Sequence, residues 1–178
     1  SPITVNGLTN GTAYTFTVTA TNGVGTSTVS GISNSATPKG NQTITFPNPG
    51  TQNFGTAPDL SPTASTTSSL TVSFTSSTTG VCTITSGGTL TFLTAGSCTI
   101  DADQAGNTTW NAATTETQTF TVNAVVPDAP TIGTATAGDT EATVTFTAPA
   151  STGGAAIFVG GYTVTASPGG AIATGSSS

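Results

Sequence analysis

From Tyr14 to Thr21 every second residue is threonine: Tyr14-Thr15-Phe16-Thr17-Val18-Thr19-Ala20-Thr21. In extended backbone successive side chains point to opposite faces, so Tyr14, Phe16, Val18 and Ala20 share one side and the threonines the other. Such a strand has one apolar face, and that face needs a second sheet to cover it. The alternation returns at Thr43-Ile44-Thr45-Phe46, Leu70-Thr71-Val72-Ser73-Phe74, Gln118-Thr119-Phe120-Thr121-Val122 and Ala142-Thr143-Val144-Thr145-Phe146-Thr147. Threonine is about a quarter of the chain, and with Gly, Ser and Ala it favours strands and turns over helices. The expected class is all-β, built of antiparallel β-sandwiches with almost no helix.

Charge narrows the function. Charged residues make up 4% of the chain, against roughly 25% in an ordinary globular domain. One cation, Lys39, stands against Asp59, Asp101, Asp103, Glu116, Asp128, Asp139 and Glu141, for a net charge of −6. Nucleic acid is excluded as a partner, since that surface needs clustered Lys and Arg. The acidic residues are scattered and make a diffuse field, so solubility must come from hydroxyls. No run approaches the roughly 18 apolar residues of a membrane span, so no membrane insertion is expected. An export signal is expected to lie outside these residues.

The two cysteines, Cys82 and Cys98, occur in a chain without His. They are too few for zinc or an iron–sulfur cluster. A disulfide between them would close a loop of about 15 residues, stabilise the fold by about 3 kcal/mol, and place the protein in an oxidising compartment, extracellular or at the cell surface.

In chain order, residues 1–38 predict strands at Ile3-Thr4-Val5, Ala13 to Thr21 and Gly25 to Ala36. Asn6-Gly7, Asn10-Gly11 and Asn22-Gly23 supply the turns. The run Leu8 to Val18, followed by Ala20-Thr21-Asn22 and Gly25, resembles the later strands of a fibronectin type III domain. The resemblance implies a corner in which Leu8 precedes the turn and the Tyr14 hydroxyl bonds backbone. After Lys39-Gly40, residues 41–124 predict further short strands: Thr43 to Phe46, Leu70 to Phe74, Val81 to Thr85, Thr89 to Leu93, Cys98 to Ala102 and Gln118 to Val122. With Ala102 to Asn107 and Trp110-Asn111-Ala112-Ala113, this block resembles the immunoglobulin-like repeats found in tandem in large bacterial surface proteins. Residues 129–178, with strands at Ala142 to Thr147, Tyr162 to Ala166 and Ala171 to Thr174, resemble fibronectin type III again, this time its first strands. Phe146 stands where that family often has Trp.

The resemblance therefore implies one complete immunoglobulin-like domain, 41–124, flanked by two halves of a fibronectin type III sandwich. Residues 129–178 give the N-terminal half and 1–38 the C-terminal half, about 88 residues together, reading continuously from Ser178 into Ser1. Neither half buries enough apolar surface alone to offset chain entropy. The linkers span about four residues each, roughly 14 Å fully extended, so closure of one chain on itself is strained. The expected partners are copies of the same segment, head to tail, with Leu8, Tyr14, Phe16 and Val18 packing against Val144, Phe146, Tyr162 and Val164 of a neighbour. The segments are either consecutive in one long polypeptide or separate subunits exchanging strands.

Candidate sites are few. Asp101 and Asp103 flank Ala102 and point the same way from a strand, a calcium candidate of only two carboxylates that reads better as a solvated strand end. Trp110, beside Asn107 and Asn111, would stack on a sugar or plug the end of the sandwich, the second being favoured. Asn10, Asn41 and Asn107 each begin an Asn-x-Thr triplet, as chance allows in so Thr-rich a chain. Lys39 sits in a linker, the wrong place for an isopeptide crosslink. No nucleophile can be matched with a base, so no enzyme activity and no cofactor is expected. The expected function is a structural repeat of an extracellular bacterial surface protein or filament, a stalk or adhesive fibre. The alternative is an accessory module binding a surface glycan or receptor.

Overall fold

The computed structural model describes residues 2–60 and 63–176, so the junction residues Ser1 and Ser178 lie outside it. Among the described residues every regular element is a strand: β1 (Ile44–Thr45), β2 (Gln52–Asn53), β3 (Ser65–Thr66), β4 (Ser73–Ser76), β5 (Cys82–Ile84), β6 (Leu90–Phe92), β7 (Gly96–Asp103), β8 (Glu116–Asn123), β9 (Thr131–Ala137), β10 (Ala142–Thr147), β11 (Tyr162–Thr165) and β12 (Ile172–Gly175). The fold is all-β. One sheet runs in the order β2-β8-β7-β4, and the remaining strands pair in twos: β1 with β3, β5 with β6, β9 with β10, β11 with β12. Two compact units divide the chain, Ser1–Pro47 with Pro62–Ser73 and Ala102–Glu116 in one, Asn48–Ser61 with Phe74–Asp101 and Thr117–Ser178 in the other. β4, β7 and β8 are continuous through the division.

In the first unit β1 and β3 are antiparallel, Ile44 opposite Thr66. Gln42 is buried beside them, and its Nε2 donates to Gln104 Oε1 at 3.1 Å and to the Asn111 carbonyl at 2.8 Å, while its Oε1 accepts from Ser68. A buried amide must be bonded on both ends, and this one is.

The Tyr14 strand folds back on residues 27–36, but not as a regular ladder. Tyr14 exchanges two backbone bonds with Ala36, both 2.9 Å. From there each step of two residues on one side meets a step of three on the other. Phe16 N–H donates to Ser33 Oγ at 2.9 Å, Val18 N–H to Ser30 Oγ at 3.0 Å, and Ala20 N–H to Ser27 Oγ at 3.0 Å. Each serine N–H returns a bond to the carbonyl of its partner, and each hydroxyl donates to the carbonyl of the residue after it. The serines stand in for carbonyls and absorb one surplus residue per step, a β-bulge repeated three times. The expected strand from Gly25 to Ala36 is therefore a serine-bridged ribbon. Gly7 and Gly11 take positive φ, 80° and 81°, as their turns require. At Asn22 the side chain makes the turn instead, Oδ1 accepting Val24 and Gly25 N–H at 2.9 and 3.2 Å. Residues 3–5 form no strand, contrary to expectation, and Ile3 is 80% exposed.

In the second unit β5 and β6 are antiparallel with Cys82 opposite Phe92, and a disulfide joins Cys82 to Cys98 on β7. Phe92 and Phe120 meet edge to face, centroids 6.3 Å apart, over a core of Leu60, Leu90, Ile100 and Val122. β2 lies parallel to β8, Gln52 opposite Val122. β10 occupies the residues its alternation predicts, with an irregularity between Val144 and Phe146 where it pairs with β9. β9 itself was not expected.

The serine ribbon is testable at one hydroxyl. Ser30→Ala removes the acceptor of the Val18 N–H and should cost about 0.5–1.5 kcal/mol, with faster hydrogen exchange at Val18. Ser30→Thr should keep the bond, and unchanged exchange in Ser30→Ala would show that the hydroxyl does not carry it.

Candidate functional site

Three features stand outside the core: two joints, one built on Gly40 and one on Gly153 and Gly154, and the apolar faces near the two ends of the sequence.

The first joint is built on Gly40. Its N–H donates to the Thr109 carbonyl and its carbonyl accepts the Asn111 N–H, both 2.8 Å. A Cβ at position 40 would lie 2.8 Å from Trp110 Cζ3 and 2.9 Å from Asn10 Nδ2, so only glycine admits the indole ring so close. Asn107 Oδ1 fixes the loop that carries the ring, accepting Thr109 and Trp110 N–H at 2.8 and 2.9 Å. The Gly11 N–H donates to the Pro38 carbonyl at 2.8 Å, and a Cβ there would lie 2.6 Å from Thr109 Oγ1. Trp110, singled out as a stacking residue, thus rests half-buried on the linker.

The second joint uses Gly153 and Gly154, at φ 74° and 84°. The Val125 N–H donates to the Gly153 carbonyl at 2.9 Å, the Asp128 N–H to the Ser151 carbonyl at 3.0 Å, and the Ala95 N–H to the Gly154 carbonyl at 2.7 Å. A Cβ on Gly153 would lie 2.0 Å from the Val125 carbonyl oxygen, and one on Gly154 would lie 2.6 Å from the Phe54 ring. Both linkers, read in the sequence as short connections, are hydrogen-bonded and closely packed.

The flanking faces carry the residues predicted to pack between segments. Leu8, Tyr14 and Phe16 are half-buried on the N-terminal ribbon, and Val18 is 60% exposed. Tyr14 Oη accepts the Thr9 N–H at 3.0 Å, the bond expected of the corner, and this bond holds the phenol below its ordinary pKa. In the other unit Val144, Phe146, Tyr162 and Val164 are half-buried, the Phe146 and Tyr162 rings 4.6 Å apart between centroids. Phe146, Tyr162 and Val164 line an open hollow of about 500 Å³ with Ile132 and Ile157. Ile132 and Ile172 remain 71% and 67% exposed.

The titratable groups add little chemistry. Asp101 accepts hydroxyl protons from Ser77 and from Thr117, the latter at 2.6 Å, and Asp103 accepts from Thr115. Among the described residues no three His, Cys, Asp or Glu side chains gather as a metal site, and no helix is long and apolar enough to cross a membrane. Lys39 is exposed. Asn41 Oδ1 accepts from Asn111 Nδ2 at 3.0 Å. No protein-family model, no characterised protein and no solved structure matches the chain. Sequence reasoning missed Ser27, Ser30 and Ser33, whose spacing of three was the available signal, and the contacts of Gly40 and Gly154, which have none in the sequence.

Two predictions follow from this geometry. Gly40→Val should displace the ring of Trp110, the chain's single tryptophan, shift its fluorescence to the red and cost roughly 1–3 kcal/mol; an unshifted spectrum would refute the joint. The hydroxyls of Ser77, first, and Thr117 hold the Asp101 carboxyl below its ordinary range. A depressed folded pKa contributes stability above the unfolded value, about pH 4, and that stability is lost as pH falls through the folded value. The wild type should therefore weaken more than Asp101→Asn below about pH 4, read as urea midpoints across a pH series.

Proposed function

We propose that this chain is a structural segment of an extracellular bacterial surface protein or fibre, in which sandwich modules act as a stalk. In this reading residues 41–124 form an immunoglobulin-like module, and 129–178 and 1–38 are halves of fibronectin type III-like modules completed head to tail by neighbouring segments. The observation that carries it is the distribution of the core. Among the described residues every buried hydrophobic side chain lies between Ile44 and Val122, while the flanks hold their alternating aromatic and aliphatic residues in half-open faces. A module that ended its business at residue 122 would have no use for such faces.

The disulfide supports an oxidising location, and the near absence of Lys and Arg leaves trypsin-like proteases one cleavage residue. The glycan-binding alternative draws less support, because the Trp110 ring is half-buried and lies against Gly40. The chain has no cofactor and no catalytic role in this reading.

Surface labelling and thiol trapping on the source cells test it together. Antibody against residues 41–124 should bind intact cells, and alkylation without reductant should leave Cys82 and Cys98 unmodified. An intracellular pool with both thiols alkylated would overturn the proposal.

A further inference from the structure

The N-terminal ribbon has two edges, and they are unlike. Along 27–36 the edge is bulged at Ser27, Ser30 and Ser33, and bulges are a standard protection against edge pairing. The other edge is unprotected. Tyr14, Phe16, Val18 and Ala20 turn their N–H and C=O groups into the ribbon, so Thr15, Thr17 and Thr19 turn theirs outward, where they meet no partner among the described residues. Residues 13–21 contain no charge and no proline to discourage pairing.

β11 presents a matching edge. The bond from Ala166 N–H to the Ala171 carbonyl, 2.8 Å, sets the phase of the β11–β12 pair. Antiparallel alternation then directs Tyr162 and Val164 to β12, and the N–H and C=O groups of Thr163 and Thr165 to the opposite edge. That edge is also free of charge and proline. Tyr14 and Phe16 on one strand and Tyr162 and Val164 on the other are half-buried, Val18 and Ala20 are exposed, and the threonines of both strands are exposed. Edge-to-edge pairing would therefore join apolar face to apolar face and threonine face to threonine face, with no charge to desolvate. The central module already contains such a contact, Thr99 Oγ1 to Thr119 Oγ1 at 2.9 Å between β7 and β8.

Resting on the structural reading above, we infer that residues 13–21 of one copy add as a strand to the free edge of β11 of a second copy, forming one continuous sheet of β12, β11, the Tyr14 strand and the serine-bridged strand. The occupant is a second copy of this chain because both edges, with the same neutral chemistry, are its own. The contact is heterologous and so propagates.

Mixing experiments on the purified chain test this. Wild type should sediment as a concentration-dependent ladder of oligomers, and Phe16→Asp and Val164→Asp should each reduce it to monomer. Mixed in equal amounts, the two variants should form a dimer and nothing larger, since each retains the face the other lacks; this also shows that both are folded. Thr17→Pro, which removes only an outward N–H, should lose assembly while the Val18 amide stays protected within the ribbon. Amides of Thr15, Thr17, Thr19, Thr163 and Thr165 should be protected in the oligomer and exchange freely in the blocked variants. A wild type that stays monomeric, a mixture that does not associate, or unprotected Thr163 and Thr165 amides in the oligomer overturns the pairing. A monomer leaves the surface-labelling and thiol tests of the structural reading to be decided separately.

Discussion

With one cation in 178 residues, this chain cannot hold its register or its solubility with ion pairs, and neutral hydrogen bonds take over both tasks. The places where charge would ordinarily act show the substitution. Gln42 is buried among Gln104, Asn111 and Ser68; Asn48 Nδ2 reaches the Thr119 carbonyl at 2.9 Å; the N-terminal ribbon is spaced by serine hydroxyls; Asp101 is partnered by hydroxyls and not by a base. Among the described residues no buried side-chain polar atom lacks a partner. Neutral bonds of this kind are each worth about 1 kcal/mol net, but they are insensitive to salt, which exposed ion pairs are not. A fold built on them keeps its strength as ionic conditions change.

The same economy of side chains explains the joints. Small residues let backbone approach backbone or ring without a gap, so a linker of few residues can be fixed at both ends of its run. Gly40 is held from both sides by Thr109 and Asn111 and covered by Trp110, while Gly153 and Gly154 tie Val125 and Ala95 to one loop. Glycine in a linker usually signals freedom, because its backbone entropy in the unfolded chain is large. Here its value is steric, and the entropy it loses is the cost of a stiff connection.

What the sequence made legible was set by how local the determining contact is. The strict alternation of Ala142 to Thr147 sufficed for β10, and the count of two cysteines, too few for a metal site, for the disulfide. The Leu8 and Tyr14 pattern led to the bond between Tyr14 Oη and Thr9 N–H, which spans five residues. The serine ribbon is hidden because its two sides have different periods, two and three, and the period of three along Gly25 to Ala36 belongs to no regular strand. β9, Thr131 to Ala137, has alanine and glycine at many apolar positions and is exposed throughout, so its alternation carries little hydrophobic contrast. The parallel pairing of β2 with β8 joins Gln52 to Val122 and is written nowhere near either.

The flanks pose the remaining physical question, which is what keeps two-stranded ribbons ordered in water. An isolated two-stranded ribbon is marginal, since conformational entropy at about 1–2 kcal/mol per residue outweighs what one half-open face returns. Each ribbon here is tied within its own unit through a glycine joint, which reduces the entropy of ordering it but leaves the face uncovered. Covering one aliphatic or aromatic side chain is worth about 1.5–3 kcal/mol, and Phe16, Val18, Ile132, Val144, Phe146, Tyr162 and Val164 all retain exposed surface to bury. The joints thus act as pre-organisation: they hold the open faces in shape at a cost borne within the segment, so that a partner of the kind proposed would contribute to association and little to folding.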